Sequence, residues 1–261
     1  MADLAISTST DVLSIAIAIE GAIAGETLHI TRRHAEEITP ALRRLSDGFE
    51  FELDTIENLY IDIGPGRFTG LRVGIATAIG IGIGSQTKIA TLSSLDILRH
   101  SLVASHTHGP GTNEDSLVDF TGEGLDQAAV LCLIDARRGE FFGQWFAGLE
   151  PIGNIEIFSP EVVAEQIKQR AQVLGSRTQR PLLIGDGADL FASEHFLDQD
   201  FGDGVLHLPG IRVRAEVMFG MTEQARASSA DTLEPLYLRD PDAVIGFKTK
   251  NNEMNQSLDQ S

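Results

Sequence analysis

One stretch of the 261-residue chain is dense enough in special residues to suggest chemistry: "GPGRFTG", Gly64 to Gly70, between the apolar run "IENLYIDI" and a small-residue segment reaching Gly84. A glycine-rich turn that leaves a strand and opens a helix can hold an anion on its backbone N–H groups and the helix dipole. Gly64, Gly66, Arg67 and Thr69 would make those contacts. The turn has neither the lysine of a Walker loop nor the spacing of a dinucleotide fingerprint, so an anion site and a purely structural turn both stay open.

Asp135 in "LIDARRGE" could orient a ligand at a strand end, with Arg137 and Arg138 meeting phosphate. A hairpin turn with solvated charges gives the same letters, and Asp186 in "GDG" also reads as a turn residue. Ser7 and Ser9 lie in no G-x-S-x-G elbow, and no histidine is placed as their base, so a hydrolase triad is unsupported. His106 and His108 stand in a polar stretch without acidic partners at ligand spacing, and H-E-x-x-H is absent. No metal centre is expected. The single Cys132, inside "AAVLCLI", reads as a buried hydrophobe.

The elements that must position these groups follow from periodicity. "LAISTST", "VLSIAIAIEG" and "ETLHITRR" read as three strands. In "HAEEITPALRRLSDG", Ala35, Ile38, Leu42 and Leu45 recur at helical spacing and Gly48 supplies a stop. Pro40 either kinks this helix or opens a shorter one capped by Thr39; we adopt the longer, kinked helix. A strand "IENLYIDI", a helix from Thr69 to Gly84, a strand "KIATLS" and a helix "SLDILRHSLVAS" follow.

After the polar stretch 105–126 the pattern restarts. There are strands in "AAVLCLIDARRGEFFGQWFAG" and "NIEIF", a helix capped by Ser159 with Pro160 at its first position, a strand "RPLLIGDGA", a short helix near Asp189 to His195 and a strand "GVLHLP". A late helix is expected in "RAEVMFGMTEQARA". Three strands, a helix, a strand and a helix thus occur twice, which predicts two similar lobes with any ligand between them.

Gly70 and Gly74 are four apart, on one helix face, and helix glycines cost about 1 kcal/mol each relative to Ala. They imply a close neighbour, internal or from a second chain. Hydrophobic residues at 42% and charged ones at 22% fit a folded globular protein. The 38 Asp and Glu against 20 Lys and Arg give a net charge of −18, which disfavours direct binding of nucleic acid. "MADLAISTST" lacks the basic and apolar regions of a signal peptide. Leu71 to Gly84 falls short of the roughly 20 residues that span a bilayer, so no membrane association is expected and the cytoplasm is the expected location.

"LAISTSTDVLSIAI", "RRHAEEITPAL", "GPGRFTGLRVGIATAIG", "TLSSLDIL", "DARRGEFF", "IGDGA" and "PLYLRD" occur in the order seen in the bacterial TsaB family, also called YeaZ, which the chain resembles from about Leu4 to Asp240. The resemblance implies an α/β fold of the actin-like/Hsp70-like (ASKHA) kind, a duplicated βββαβα unit in two lobes. Its expected bounds are 1–104 and 127–210, with a linker or insertion at 105–126, a helix and segment at 211–242 returning to the first lobe, and a disordered tail at 243–261.

It implies the non-catalytic sister of TsaD in making N6-threonylcarbamoyladenosine beside the tRNA anticodon, with no activity of its own. TsaD is the implied heterodimer partner and the ATPase TsaE joins them, while tRNA is met through the complex; alone, the chain could homodimerise. No tightly bound cofactor is implied, and ATP or ADP would sit at the junction with TsaD. By the family's pattern the two helices around His34–Leu45 and Thr69–Gly84 form a four-helix bundle with TsaD, using His34, Ile38, Leu42, Thr69, Gly70, Arg72, Gly74 and Thr77.

Two departures matter. The family's first strand ends "IDTST", and Ser7 stands here in place of the aspartate; the loop usually has serine where Arg67 stands. Loss of that carboxylate argues against the other readings, a stand-alone kinase or peptidase. A homodimeric binding module is the third reading.

Overall fold

The computed structural model describes residues 2–30, 33–83, 86–107, 128–174, 180–195 and 205–238. Most of the predicted insertion at 105–126 and all of the predicted tail lie outside the described residues.

The chain begins with strand β1 (Ala2–Ser7), β2 (Val12–Ile19) and β3 (Ala22–His29). β1 and most of β2 are buried on both faces, whereas β3 alternates between exposed and half-buried positions as an edge strand does. Helix α1 (His34–Phe49), β4 (Ile56–Asp62), helix α2 (Phe68–Gly82), β5 (Lys88–Leu92) and helix α3 (Ser94–Thr107) complete the first half. The second half has β6 (Ala129–Arg137), β7 (Glu140–Ala147), β8 (Glu150–Phe158), α4 (Pro160–Leu174), β9 (Leu182–Ile184), α5 (Asp186–His195) and β10 (Leu206–His207). A last strand β11 (Arg226–Ser228) follows a 3-10 turn at Ala215–Gly220.

This is a mixed α/β fold with two sheets. One runs β11-β5-β4-β1-β2-β3 and the other β10-β9-β6-β7-β8. In each, the first strand pairs antiparallel with the second and parallel with the fourth. Helices α1 and α2 cover one face of the first sheet, where Ile38, Leu42 and Leu45 meet Leu4, Ile6 and Ile61. Helices α4 and α5 cover the second sheet through Val163, Ile167 and Phe191.

A third cluster joins the halves: Ala5 and Ala16 of the first sheet, Leu98 and Leu102 of α3, Val130, Cys132 and Phe146 of the second sheet, and Met218 and Met221. Cys132 is fully enclosed there, and burial raises its thiol pKa, as expected of a packing cysteine. Arg99 of α3 is also fully buried, with its Nε–H donating to the Gly148 carbonyl at 2.6 Å between β7 and β8. This charge-assisted contact ties α3 to the second sheet.

Three local expectations need correction. Helix α1 passes through Gly48 and ends where Glu50 turns left-handed (φ 51°), its N–H capping Ser46 O; Pro40 lies inside the helix. Helix α5 starts at Asp186, not near Asp189. The predicted late helix is only the 3-10 turn, followed by β11 paired antiparallel with β5. Its buried residues Ala215 and Met218, and Met221 just past its end, recur every three positions, the period that a 3-10 turn aligns on one side.

Candidate functional site

Beside the glycine turn, the first and fourth strands converge on one carboxylate. Asp62, at the end of β4 and fully buried, accepts hydrogen bonds from Ser7 Oγ (2.6 Å), Ser9 Oγ (2.6 Å), Ser94 Oγ (2.5 Å) and the Gly64 amide (2.9 Å). Burial raises its pKa while these four donors pull it down, and the net direction is upward. Ser7 thus serves as a donor to a structural anchor. Neither Ser7 nor Ser9 is exposed, so neither acts as a nucleophile toward a substrate.

Other polar groups of the turn are also engaged. The Arg67 amide donates to Ser9 O at 2.6 Å, and the Gly64 carbonyl accepts from the Ser94 amide at 2.9 Å. A Cβ on Gly66 would lie 2.2 Å from Ser9 O; on Gly70, 2.1 Å from Thr8 O; on Gly74, 2.4 Å from Thr8 Oγ1. The glycines therefore admit the chain's own β1–β2 turn. In return Thr8 Oγ1 donates to Gly70 O at 2.8 Å.

Several residues of the expected partner face are packed within the chain itself. Gly70 and Gly74 are buried against Thr8, while His34, Ile38 and Leu42 are buried too, Leu42 retaining only 5% exposure. His34 hydrogen-bonds through Nε2 to Val12 O at 3.2 Å. Burial lowers its pKa, and the nearby Arg67 charge acts in the same direction. Thr69 and Arg72 are exposed and Thr77 is half-buried, so these three remain on the outer face together with Val73, Ala76 and Gly80.

A cavity of about 450 Å³ opens beside this turn, lined by His34, Arg67, Phe68, Thr69, Gly70 and Arg137. Behind it lies a set of opposed charges. Arg67 reaches to 3.9 Å from Asp186, and Arg212 bridges Asp11 (3.3 Å) and Asp189 (2.7 Å), which also accepts from His207 Nε2 at 2.8 Å. Asp135 accepts from the Arg137 amide at 2.8 Å and pairs with its guanidinium at 3.3 Å. It thereby holds the β6–β7 turn, where Arg137 and Arg138 are left-handed.

Asp186 is pushed up to about 7, first by burial and then by the charge of Asp11, against the attraction of Arg67 and Arg212; Asp135 also raises it. With the folded pKa above the unfolded one, the folded state holds the extra proton between about pH 4 and 7. Stability from this group is therefore present at low pH and falls as pH rises through 7. The expected result is that Asp186→Asn flattens this slope and gains about 2 kcal/mol at pH 8 relative to its effect at pH 5. Urea unfolding at the two pH values measures it, and an unchanged slope would contradict the assignment.

Among the described residues no group of three His, Cys, Asp or Glu side chains is arranged to hold a metal ion. The carboxylates near the cavity face arginines, and the loop's Arg67 amide is turned toward Ser9. No described helix is long and apolar enough to cross a membrane. Sequence reasoning missed Asp62, Ser94, Asp11, Asp189 and Arg212. For Asp62 there was a signal, an acid inside the apolar run "YIDIG"; the others carried none.

What the fold and site define is an α/β two-sheet protein with a braced glycine turn beside a cavity of about 450 Å³. Residues 27–112 match the family model described as "TsaD: tRNA N6-adenosine threonylcarbamoyltransferase". Over 90% of its length the chain is similar to the tRNA threonylcarbamoyladenosine biosynthesis protein TsaB of Haemophilus influenzae (23% identity, 92% of that protein) and of Escherichia coli K12 (25% identity, 94%). Its fold is that of YeaZ from Pseudomonas aeruginosa, with TM-score 0.66 and 23% identity, covering 91% of this chain and 99% of that one. Together these likenesses support a TsaB/YeaZ assignment.

Proposed function

We propose that the chain is the non-catalytic subunit of a TsaB–TsaD–TsaE assembly that forms N6-threonylcarbamoyladenosine next to the tRNA anticodon. The carrying observation is the likeness to TsaB proteins over 90% of the chain. The fold is read as actin-like, a duplicated βββαβα unit with lobes at 1–104 and 127–210 and a returning segment at 211–242. The paired sheet orders and the β11–β5 pairing support that reading.

The surface offered to TsaD is the outer side of α1 and α2, with Thr69, Arg72, Val73, Ala76, Thr77 and Gly80 on α2. These helices lie inside the residues that match the TsaD family model. Related helices on two related chains can pair about a pseudo-twofold axis, each meeting its counterpart. Small side chains such as Ala76 and Gly80 permit close helix approach, and a face braced from beneath by Thr8 loses little order on binding. The −18 charge keeps tRNA a ligand of the complex.

Reconstitution tests this: added to TsaD, TsaE, a threonylcarbamoyl donor and tRNA, the chain should restore modification. Ala76→Glu should weaken TsaD binding by about 100-fold or more through a buried unpaired charge, with the fold intact by circular dichroism. Full modification without this chain, or unaltered binding of the variant, would overturn the assignment. Peptide or ATP turnover by the isolated protein would favour an enzyme instead.

A further inference from the structure

The cavity of about 450 Å³ beside the glycine turn takes one cation from each half of the chain: Arg67 at the start of α2 and Arg137 from the β6–β7 turn. Ala35, Phe68 and Val73 give it an apolar wall. His34 is engaged with Val12 O and burial lowers its pKa, so the positive charge at the cavity is that of the two arginines. The volume is that of a small-molecule site.

Three features of its walls ask for negative charge. Helix α2 has Arg67 as its N-cap residue, with no capping side chain and no acidic residue in the first turn. The amides of Phe68, Thr69 and Gly70, all lining residues, thus end in a positive helix pole that nothing in the loop neutralises. Arg67 is held in place with its side chain 14% exposed, and its carboxylate partner Asp186 stands off at 3.9 Å, beyond hydrogen-bond distance. Arg137 occupies a left-handed turn position, φ 66°, followed by Arg138 at 59°. Such positions favour asparagine and glycine, so its charge, rather than the turn, accounts for an arginine there. Asp135 meets only Nη1 of Arg137, at 3.3 Å, and the side chain is 57% exposed, which leaves Nε and Nη2 available.

We infer that this cavity binds the phosphate group of a small phosphate monoester, held between Arg67 and Arg137 at the amino end of α2, with the ester body against Phe68, Val73 and Ala35. A tetrahedral phosphate accepts from both arginines and from the helix amides at once, whereas a carboxylate offers only two coplanar oxygens. Free phosphate shares this head chemistry and leaves the apolar wall bare. The net charge of −18 does not oppose a local site, because charges beyond about 8 Å are screened at physiological salt. Asp186 competes with the ligand for Arg67.

The test is thermal unfolding of the full chain alone at pH 8 and constant ionic strength, titrated with inorganic phosphate or with phenyl phosphate. Each variant is read against its own ligand-free midpoint. The expected result is a saturable one-site rise in the midpoint, with phenyl phosphate bound about threefold more tightly than the free ion. Arg67→Gln and Arg137→Gln should each weaken binding about tenfold. Thr69→Asp, at an exposed position where a carboxylate favours the helix start, should abolish it without loss of stability. Asp186→Asn should tighten it about threefold by removing the opposing charge. Arg170→Gln, whose guanidinium lies over the Trp145 ring, should leave it unchanged. Equal affinity for the two probes would assign the free ion to the same site. A rise that does not saturate, one that survives the Arg67, Arg137 and Thr69 substitutions, or an equal loss in Arg170→Gln would overturn the proposal. So would binding of tRNA but of neither probe, which would give the arginines to nucleic acid. No TsaD enters the titration, so its outcome is independent of the function proposed above.

Discussion

Gly70→Ala is expected to destabilise the protein by about 3 kcal/mol or more, whereas Gly80→Ala, one helix face away, is expected to stabilise it by up to about 1 kcal/mol. Both glycines lie within α2, Gly70 in its first turn and Gly80 in its last, and helix propensity alone predicts a gain at each. At Gly80 nothing stands within 4 Å of an added Cβ. At Gly70 the added carbon would lie 2.1 Å from the Thr8 carbonyl oxygen, and the obstruction is backbone. Relief would require moving α2 off the end of β1, which also breaks the Thr8 Oγ1 to Gly70 O hydrogen bond. Urea denaturation of the two variants measures the contrast, and equal midpoints would show that the contact is not tight. Because Gly80 lies on the outer face of α2, its alanine variant also reports, through TsaD binding, whether that surface tolerates a methyl group.

Asp62→Ala is the second large effect, with an expected loss of about 3 to 5 kcal/mol. The substitution leaves three enclosed hydroxyls, on Ser7, Ser9 and Ser94, and the Gly64 amide without their acceptor. Unsatisfied buried donors cost far more than the average net value of a hydrogen bond. Asp62→Asn should lose less, because its carbonyl oxygen still accepts and hydroxyls can rotate to accept from its amide; Gly64 N–H has no such freedom. Since burial raises the folded pKa of Asp62, the stability difference between wild type and Asp62→Asn should narrow as pH rises above the carboxylate range. Denaturant unfolding at pH 5 and pH 8 checks both the ranking and the sign. A loss of under about 1 kcal/mol for Asp62→Ala would mean that the serines find other partners.

These effects bear on function because they determine how firmly α2 is held. The face proposed for TsaD is the reverse side of the helix that Thr8 and the Asp62 cluster secure. Weakening the support is expected to loosen the face without touching it, so Asp62 variants should affect partner binding through stability, in contrast to Ala76→Glu.

Much of the architecture was legible in the letters. Continuous apolar runs such as "VLSIAIAI" and "AVLCLIDA" are buried strands, and the helical spacing of Ile38, Leu42 and Leu45 is the inward stripe of α1. Ser159 and Pro160 open α4, with Ser159 Oγ accepting from the Val162 amide at 3.4 Å. Periodicity reports which side of an element is apolar, and caps report where it starts, because both are local. The late helix failed where a three-residue period and a pairing with β5, distant in sequence, prevailed over helical composition.

The sequence by itself determined that Gly70 and Gly74 need a close neighbour, since glycines in a helix are costly without one. Only the tertiary structure decided which neighbour within the chain meets them: Thr8, some sixty residues earlier. Likewise, the sequence contains Asp62, Ser7, Ser9 and Ser94 but gives no sign that they meet, and it lists the charges of Asp11, Arg67, Asp186 and Arg212 without their pairing. A glycine reports only the absence of a side chain, and a charge only its sign. What approaches either is fixed by contacts distant along the chain, such as Thr8 with Gly70 and Arg67 with Asp186.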